Sequence, residues 1–223
     1  MRSEGPRLVS RRRAGIRMAA LALGGLAAIR GVGRAGTIPG TMLVEEDWAL
    51  TIGTPDPVNH APGVKMIMST QGDLLGYSAD YSINFHKEGN PATFAVGGFG
   101  IEICSPDGSQ PVSVSYPGGT LLNTVGEAIT WTQRLKLKGG SLTFSLQNGQ
   151  STTWGSNPGE MLSVSANCSI ADLSAYDPNF SAARSGPVWW PDRVTSLVLS
   201  AVRYYDKSGK LLFSDPTDRV AYP

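Results

Sequence analysis

Tyr77-Ser78-Ala79-Asp80-Tyr81-Ser82-Ile83-Asn84-Phe85-His86 alternates without a break. Tyr, Ala, Tyr, Ile and Phe hold the odd positions; Ser, Asp, Ser, Asn and His hold the even ones. Side chains leave a pleated strand on alternate faces, so the rings share one face and the polar groups the other. Tyr, Ile and Phe also suit a half-buried strand surface. The stretch predicts a strand with one face on a core and the other toward water or a ligand.

The same pattern recurs along the chain. The first strand is expected over 42–52, where Val44, Trp48, Leu50 and Ile52 share a face and Glu45, Asp47, Ala49 and Thr51 share the other. Glu46 falls on the apolar side, so regular pairing is expected only near Trp48. Three prolines make 53–63 a loop. Strands follow at 64–70, at 94–104 with a bend at Gly97-Gly98, and at 112–116. Ser105-Pro106-Asp107-Gly108 is a turn. Further strands are expected at 129–138 and 142–147. Asn148-Gly149 reads as a hairpin turn, with 151–154 pairing back, and 161–166 is another short strand. The stretch 167–192 is the least regular, with a short helix expected over 169–176; long loops in compact domains are often functional. Residues 194–205 are apolar at nearly every position and are expected to be central, followed by a turn and a strand at 210–214. Nine to twelve short strands spaced by turns predict an all-β fold, an antiparallel β-sandwich of jelly-roll or concanavalin-like type.

The first 36 of the 223 residues differ from the rest. They hold eight arginines and one acid, Glu4, and an apolar run, 18–29, follows Arg11-Arg12-Arg13 and Arg17. A basic region before a short apolar run is the layout of an export signal, with cleavage expected after Ala35. The run is too short to span a bilayer, which needs about 20 apolar residues. A single domain is then expected over 37–223, secreted, periplasmic or on the cell surface. That remainder has 11 Lys and Arg against 17 Asp and Glu, a net charge of −6. Such a balance argues against nucleic-acid binding, which needs a basic surface.

Several segments together resemble a known family. They are Val44-Glu45-Glu46-Asp47-Trp48 with Pro55-Asp56-Pro57, Ile129-Thr130-Trp131-Thr132-Gln133, and 148–155. Leu173-Ser174-Ala175-Tyr176-Asp177-Pro178 and 193–199 ending in Arg203-Tyr204-Tyr205 complete the set. The chain resembles a family of uncharacterised exported all-β bacterial proteins. The resemblance implies export and an all-β fold; it implies no activity and no catalytic residue.

Candidate chemistry is sparse. Glu45 and Asp47 project from one strand face about 7 Å apart, as in the acid-rich strand of sandwich glycoside hydrolases. The third acid of that pattern is missing, since Ala49 and Leu50 stand there. Glu102 and Glu127 are a second pair available from different strands. Solvated strand or turn acids account for all four as well, and fold analogy alone does not establish chemistry. His60 and His86 fit no metal spacing, and no serine sits in a Gly-x-Ser-x-Gly elbow. Asp56, Asp73, Asp107 and Asp177 are candidate calcium ligands, but turn chemistry explains Asp there and no cofactor is expected. Cys104 and Cys168 can close one disulfide across the sandwich in an exported chain; otherwise they are two separate buried thiols. Trp189, Trp190 and Tyr176 are the candidate ligand-binding rings, able to stack on a sugar if exposed. The competing view is that they anchor the loop to the sandwich, as Trp is usually buried. The expected role is a non-enzymatic binding or structural module, with a glycan or a surface protein as partner; the alternative is a carbohydrate-active hydrolase or lyase.

Overall fold

The computed structural model describes residues 37–54, 63–83, 98–109, 112–117, 124–152, 155–156, 162–189 and 193–223; at 98, 114–117, 155, 156 and 189 it describes the backbone alone. The expected export segment 1–36, the loop acid Asp56, both histidines and Trp190 lie outside the described residues.

The alternation at 77–86 becomes β3 (Ser78–Ile83). Ala79, Tyr81 and Ile83 are buried, as expected. β3 is the middle strand of a five-stranded sheet ordered β10-β2-β3-β4-β5, antiparallel to both of its neighbours. The other members are β2 (Gly63–Ser69), β4 (Gly98–Cys104), β5 (Val112–Pro117) and β10 (Gly186–Trp189). The second sheet has eight strands. Its path is β12 (Leu211–Asp215), β11 (Val194–Tyr205), β1 (Leu43–Ile52), β6 (Ala128–Lys138), β7 (Ser141–Ser151) and β8 (Gly155–Ser156). β13 (Arg219–Tyr222) also pairs with β11, and β9 (Ser163–Asn167) with β7. The fold is an all-β antiparallel sandwich. Among the described residues no helix is long and apolar enough to cross a membrane.

The core lies between the sheets. Trp48 of β1 and Trp131 of β6 are cross-strand partners with parallel rings 6.4 Å apart. Tyr81, from the opposite sheet, meets Trp131 edge-on at 5.5 Å. Each such fully buried large side chain contributes roughly 1.5–3 kcal/mol, and offset or edge contacts between rings add to that.

Three expectations need correction. First, β1 pairs with β6 without a break from Leu43, its register with β11 shifting between Asp47 and Trp48, and Glu46 points into the core, with 0% exposure. Second, Asn148-Gly149 is not a hairpin turn. β7 runs through it, and the register slips between Thr130 and Thr132 on the facing strand, so the pair forms a bulge with Asn148 at φ 53°. β8, not 151–154, pairs back, on Gln150 and Ser151. Third, the helix of the irregular stretch is α1 (Pro178–Arg184), not 169–176. Asp177 caps it, accepting from Asn179 N, and Pro178 stands in the first turn, where its missing N–H costs nothing. The segment before α1 instead packs on the N-terminal residues, with Leu173 N donating to Thr41 O and Ile38 N to Ser174 O.

Candidate functional site

The outward face of the eight-stranded sheet carries the alternate, mostly polar side chains of β1, β6 and β11. Strand register sets its rows. Arg203, Glu45, Arg134 and Ser145 stand side by side, and Ala201, Asp47 and Thr132 form the next row. Tyr205, Leu43, Lys136 and Thr143 form the row on the other side.

Both outward-facing acids of β1, Glu45 and Asp47, are committed to cations. Arg203 forks onto Asp47, Nη1 to Oδ2 at 2.5 Å and Nη2 to Oδ1 at 2.8 Å. Its Nε donates to Glu45 Oε2 at 3.1 Å, which also accepts from the Tyr205 hydroxyl at 2.9 Å. Arg134 Nε lies 2.8 Å from Glu45 Oε1, an ion pair whose N–H is not directed along that line. Thr132 Oγ1 donates to Asp47 Oδ1 at 2.7 Å. Partial burial would raise the Asp47 pKa, but the hydrogen bonds from Arg203 and Thr132 outweigh it and hold the carboxyl below its ordinary value. Asp47 is therefore a fixed carboxylate, unsuited to donating a proton.

A cleft of about 590 Å³ opens at the Glu45 end of this face. Glu45, Arg134 and Tyr205 line it, with Lys136 and Lys138 of β6. The turn 206–209, including Lys207, lines it too. Asp206 shapes that turn, accepting from Ser208 N and Lys210 N.

The outward face of the smaller sheet holds a second cluster. Lys65 Nζ lies 2.5 Å from Asp80 Oδ2 and 3.4 Å from Glu102 Oε1. One ligand atom each of Asp80, Glu102 and Cys104 falls within 4.8 Å of the others. Burial lifts the Asp80 pKa to about 6, with Glu102 adding to the rise and Lys65 opposing it. Asp80 Oδ1 is buried without a hydrogen-bond partner. This is the alternate face of the 77–86 stretch, and Asp80 is only 5% exposed there, beyond the reach of a polymeric ligand.

The remaining expected site residues scatter. Glu102 belongs to the Lys65 cluster, whereas Glu127 is buried and accepts from the Ser151 hydroxyl; the two do not form a pair. Tyr176 is not an exposed platform: it is 3% exposed, its hydroxyl donates to Glu46 Oε1, and its ring meets Tyr204 edge-on. Trp189 ends β10 opposite Gly63, and its side chain lies outside the described residues. Cys104 and Cys168 are free thiols, not a disulfide. Cys104 shares the outward face of β4 with Glu102, while Cys168 packs against the core, so the smaller sheet lies between them. Burial, with Asp80 and Glu102 nearby, pushes the Cys104 thiol up to about 11. The described loop acids do turn work instead of gathering round a cation. Asp73 accepts from Leu75 N, Asp107 from Ser109 N, and Asp177 from Asn179 N.

Sequence reading missed the buried site beneath the face. Glu46 Oε2 accepts from Trp48 Nε1 at 2.9 Å, Gln133 Nε2 at 2.7 Å and Ser181 Oγ at 3.0 Å, and Oε1 from Tyr176. Its one sequence signal is a carboxylate at an inward position, with Gln133 directly opposite.

The fold and this face define an antiparallel β-sandwich with a polar, cation-lined cleft. No family model matches the chain, and no curated protein matches it in sequence. Among solved structures it is similar to one described as scytalido-glutamic peptidase with a transition-state analog inhibitor. That likeness is 14% identity over 82% of each chain, with a TM-score of 0.31. A likeness so distant carries nothing about chemistry.

Proposed function

We propose that this chain is an exported, non-enzymatic binding module of the cell surface or periplasm, and that it takes carbohydrate on the outward face of the larger sheet. The observation that carries the reading is the state of Glu45 and Asp47 beside the cleft. Both are locked to arginines, so the face offers fixed donors and acceptors, plus the Tyr205 ring, and Asp47 is held as a carboxylate. Fixed planar polar groups and a ring suit a polyhydroxylated ligand. A glycosidase needs two carboxyl groups facing one sugar in different protonation states. The pair closest to that, Asp80 with Glu102, is clamped by Lys65, and Asp80 is almost closed to solvent.

A glycan-array screen of the purified protein tests this. Specific binding is expected, abolished by Tyr205→Ala and retained in a Trp189→Ala, Trp190→Ala variant. Loss confined to the tryptophan variant would move the site to the 186–192 segment. Absence of glycan binding would remove the ligand class, and release of reducing sugar would overturn the non-enzymatic clause. A second reading, a structural subunit, is supported by the apolar edge strand β12, whose Leu211, Leu212 and Phe213 are exposed.

A further inference from the structure

Cations are scarce in this molecule and unevenly placed. Residues 37–223 contain 11 Lys and Arg against 17 Asp and Glu. Four of those 11, Arg134, Lys136, Lys138 and Lys207, line the cleft, and Arg203 stands next to it in the Glu45 row. The lining acids are only Glu45 and Asp206. Glu45 is engaged by Arg134 and Arg203, and Asp206 by the amides of its own turn. Among the described residues Lys136, Lys138 and Lys207 therefore have no ion-pair partner.

Fold maintenance does not explain the three lysines. Lysine often guards an exposed sheet edge, but β6 is flanked on both sides, by β1 and β7. Sheets also pair opposite charges across strands, yet Lys136 stands opposite Leu43 and Thr143, and Lys138 opposite Ser141. The turn at 206–209 needs Asp206 for its hydrogen bonds and Gly209 for its φ of 84°; it needs no lysine. Three free ammonium groups on one concave surface raise the local potential of an otherwise acidic molecule, and concave walls focus that field.

We propose that this cleft is an anion site and that its ligand is an acidic glycan, bound through carboxylate or sulfate groups held by Lys136, Lys138 and Lys207. The inference rests on the carbohydrate reading above and narrows its ligand class. Neutral glycans would meet the Glu45 row and Tyr205; the acidic substituents supply the contacts that the lysines lack.

The test compares three oligosaccharide sets of matched length on the full chain: neutral, uronate-containing and sulfated. The acidic sets should bind more tightly, and raising the salt from low to high should weaken them and leave neutral binding unchanged. A Lys136→Gln, Lys138→Gln, Lys207→Gln variant removes only exposed side chains, so its thermal melt should match the parent. Its affinity for acidic glycans should fall by roughly tenfold or more, the sum of three surface charge pairs. A preference for the uronate or the sulfated set would say which group the site holds. Equal binding of neutral and acidic sets, or acidic binding unchanged in the variant, would overturn the anion site and leave the carbohydrate reading standing. No binding of any set would overturn both.

Discussion

Glu46 shows how one residue can be wrongly discounted by pattern alone. An acid at an inward position looks like the end of regular pairing, because an isolated buried carboxylate is costly. Here Trp48, Gln133, Tyr176 and Ser181 converge on it, from positions up to 135 residues away. Only Trp48 and the cross-strand Gln133 are local to the sheet pattern; nothing in a sequence places residues 176 and 181 over residue 46. Burial raises the Glu46 pKa, and its hydrogen bonds offset that only in part. Geometry agrees with a protonated carboxyl. The Ser181 hydroxyl has one hydrogen and two acceptors, Glu46 Oε2 at 3.0 Å and Ile67 O at 2.6 Å. A protonated Glu46 can donate to Ser181, which then donates to Ile67. Replacing Glu46 with Leu keeps the volume but strands the indole, amide and phenol donors, each costing about 1–3 kcal/mol. The expected loss is roughly 3 kcal/mol or more by urea titration, with Glu46→Gln less damaging. A Leu variant as stable as the parent would show that the donors find other partners and that the cluster does not hold β1, β6 and α1 together.

At the scale of elements, strands whose alternation has one wet face were legible. β1, β3 and β6 lie where their periodicity puts them, and β11 lies where its continuous apolar run does. The errors have a common cause: local turn chemistry has more than one use. Asn148-Gly149 accepts a left-handed residue, which a bulge needs as much as a hairpin does, and the partner strand decides between them. The helix signal at Asp177-Pro178 is present as cap and first-turn proline, but Asp before Pro suits a turn equally well. β13 is four residues long and pairs only with β11, too short to carry a period. β12 has the opposite problem. Its Leu211-Leu212-Phe213 run is a clear strand, but 48%, 38% and 48% exposure at the end of the sheet path is a tertiary fact. A long apolar edge invites pairing with another chain. Sedimentation at rising concentration should therefore show self-association, suppressed by Leu212→Lys, which faces away from the Phe213–Tyr204 ring contact. A parent protein that stays monomeric at every concentration would remove β12 as a contact surface and with it the structural-subunit reading.

For the whole molecule, the buried acids and the net charge of −6 over 37–223 act in the same direction. Glu46 and Asp80 have folded pKa values above their ordinary ones of 4.5 and 3.8, in each case chiefly because of burial. Each binds its proton more tightly in the folded state. Their contribution is complete below the ordinary value and is withdrawn as pH rises through the folded value, about 6 for Asp80. Self-repulsion among ionised acids also grows with pH. Asp47 and Asp215 act in the opposite sense. Burial opposes their ionisation, but Arg203 and Arg219 hold them below 3.8, so their contribution is present above that value and lost as pH falls through the lower folded one. Thermal stability should then rise as pH is lowered from 7 to about 4.5 and fall again in stronger acid. For Asp80 alone the shift corresponds to roughly 2–3 kcal/mol across that range, or about 5 °C in Tm for a domain of this size. Differential scanning calorimetry between pH 3 and 8 measures the curve, and Asp80→Asn should flatten its rise between pH 7 and 5 even though it also weakens the Lys65 contact. A Tm that declines steadily from pH 7 downward would mean that the arginine-held carboxylates outweigh the buried ones. The outward ion-pair face, not the core, would then set the stability of the sandwich in acid.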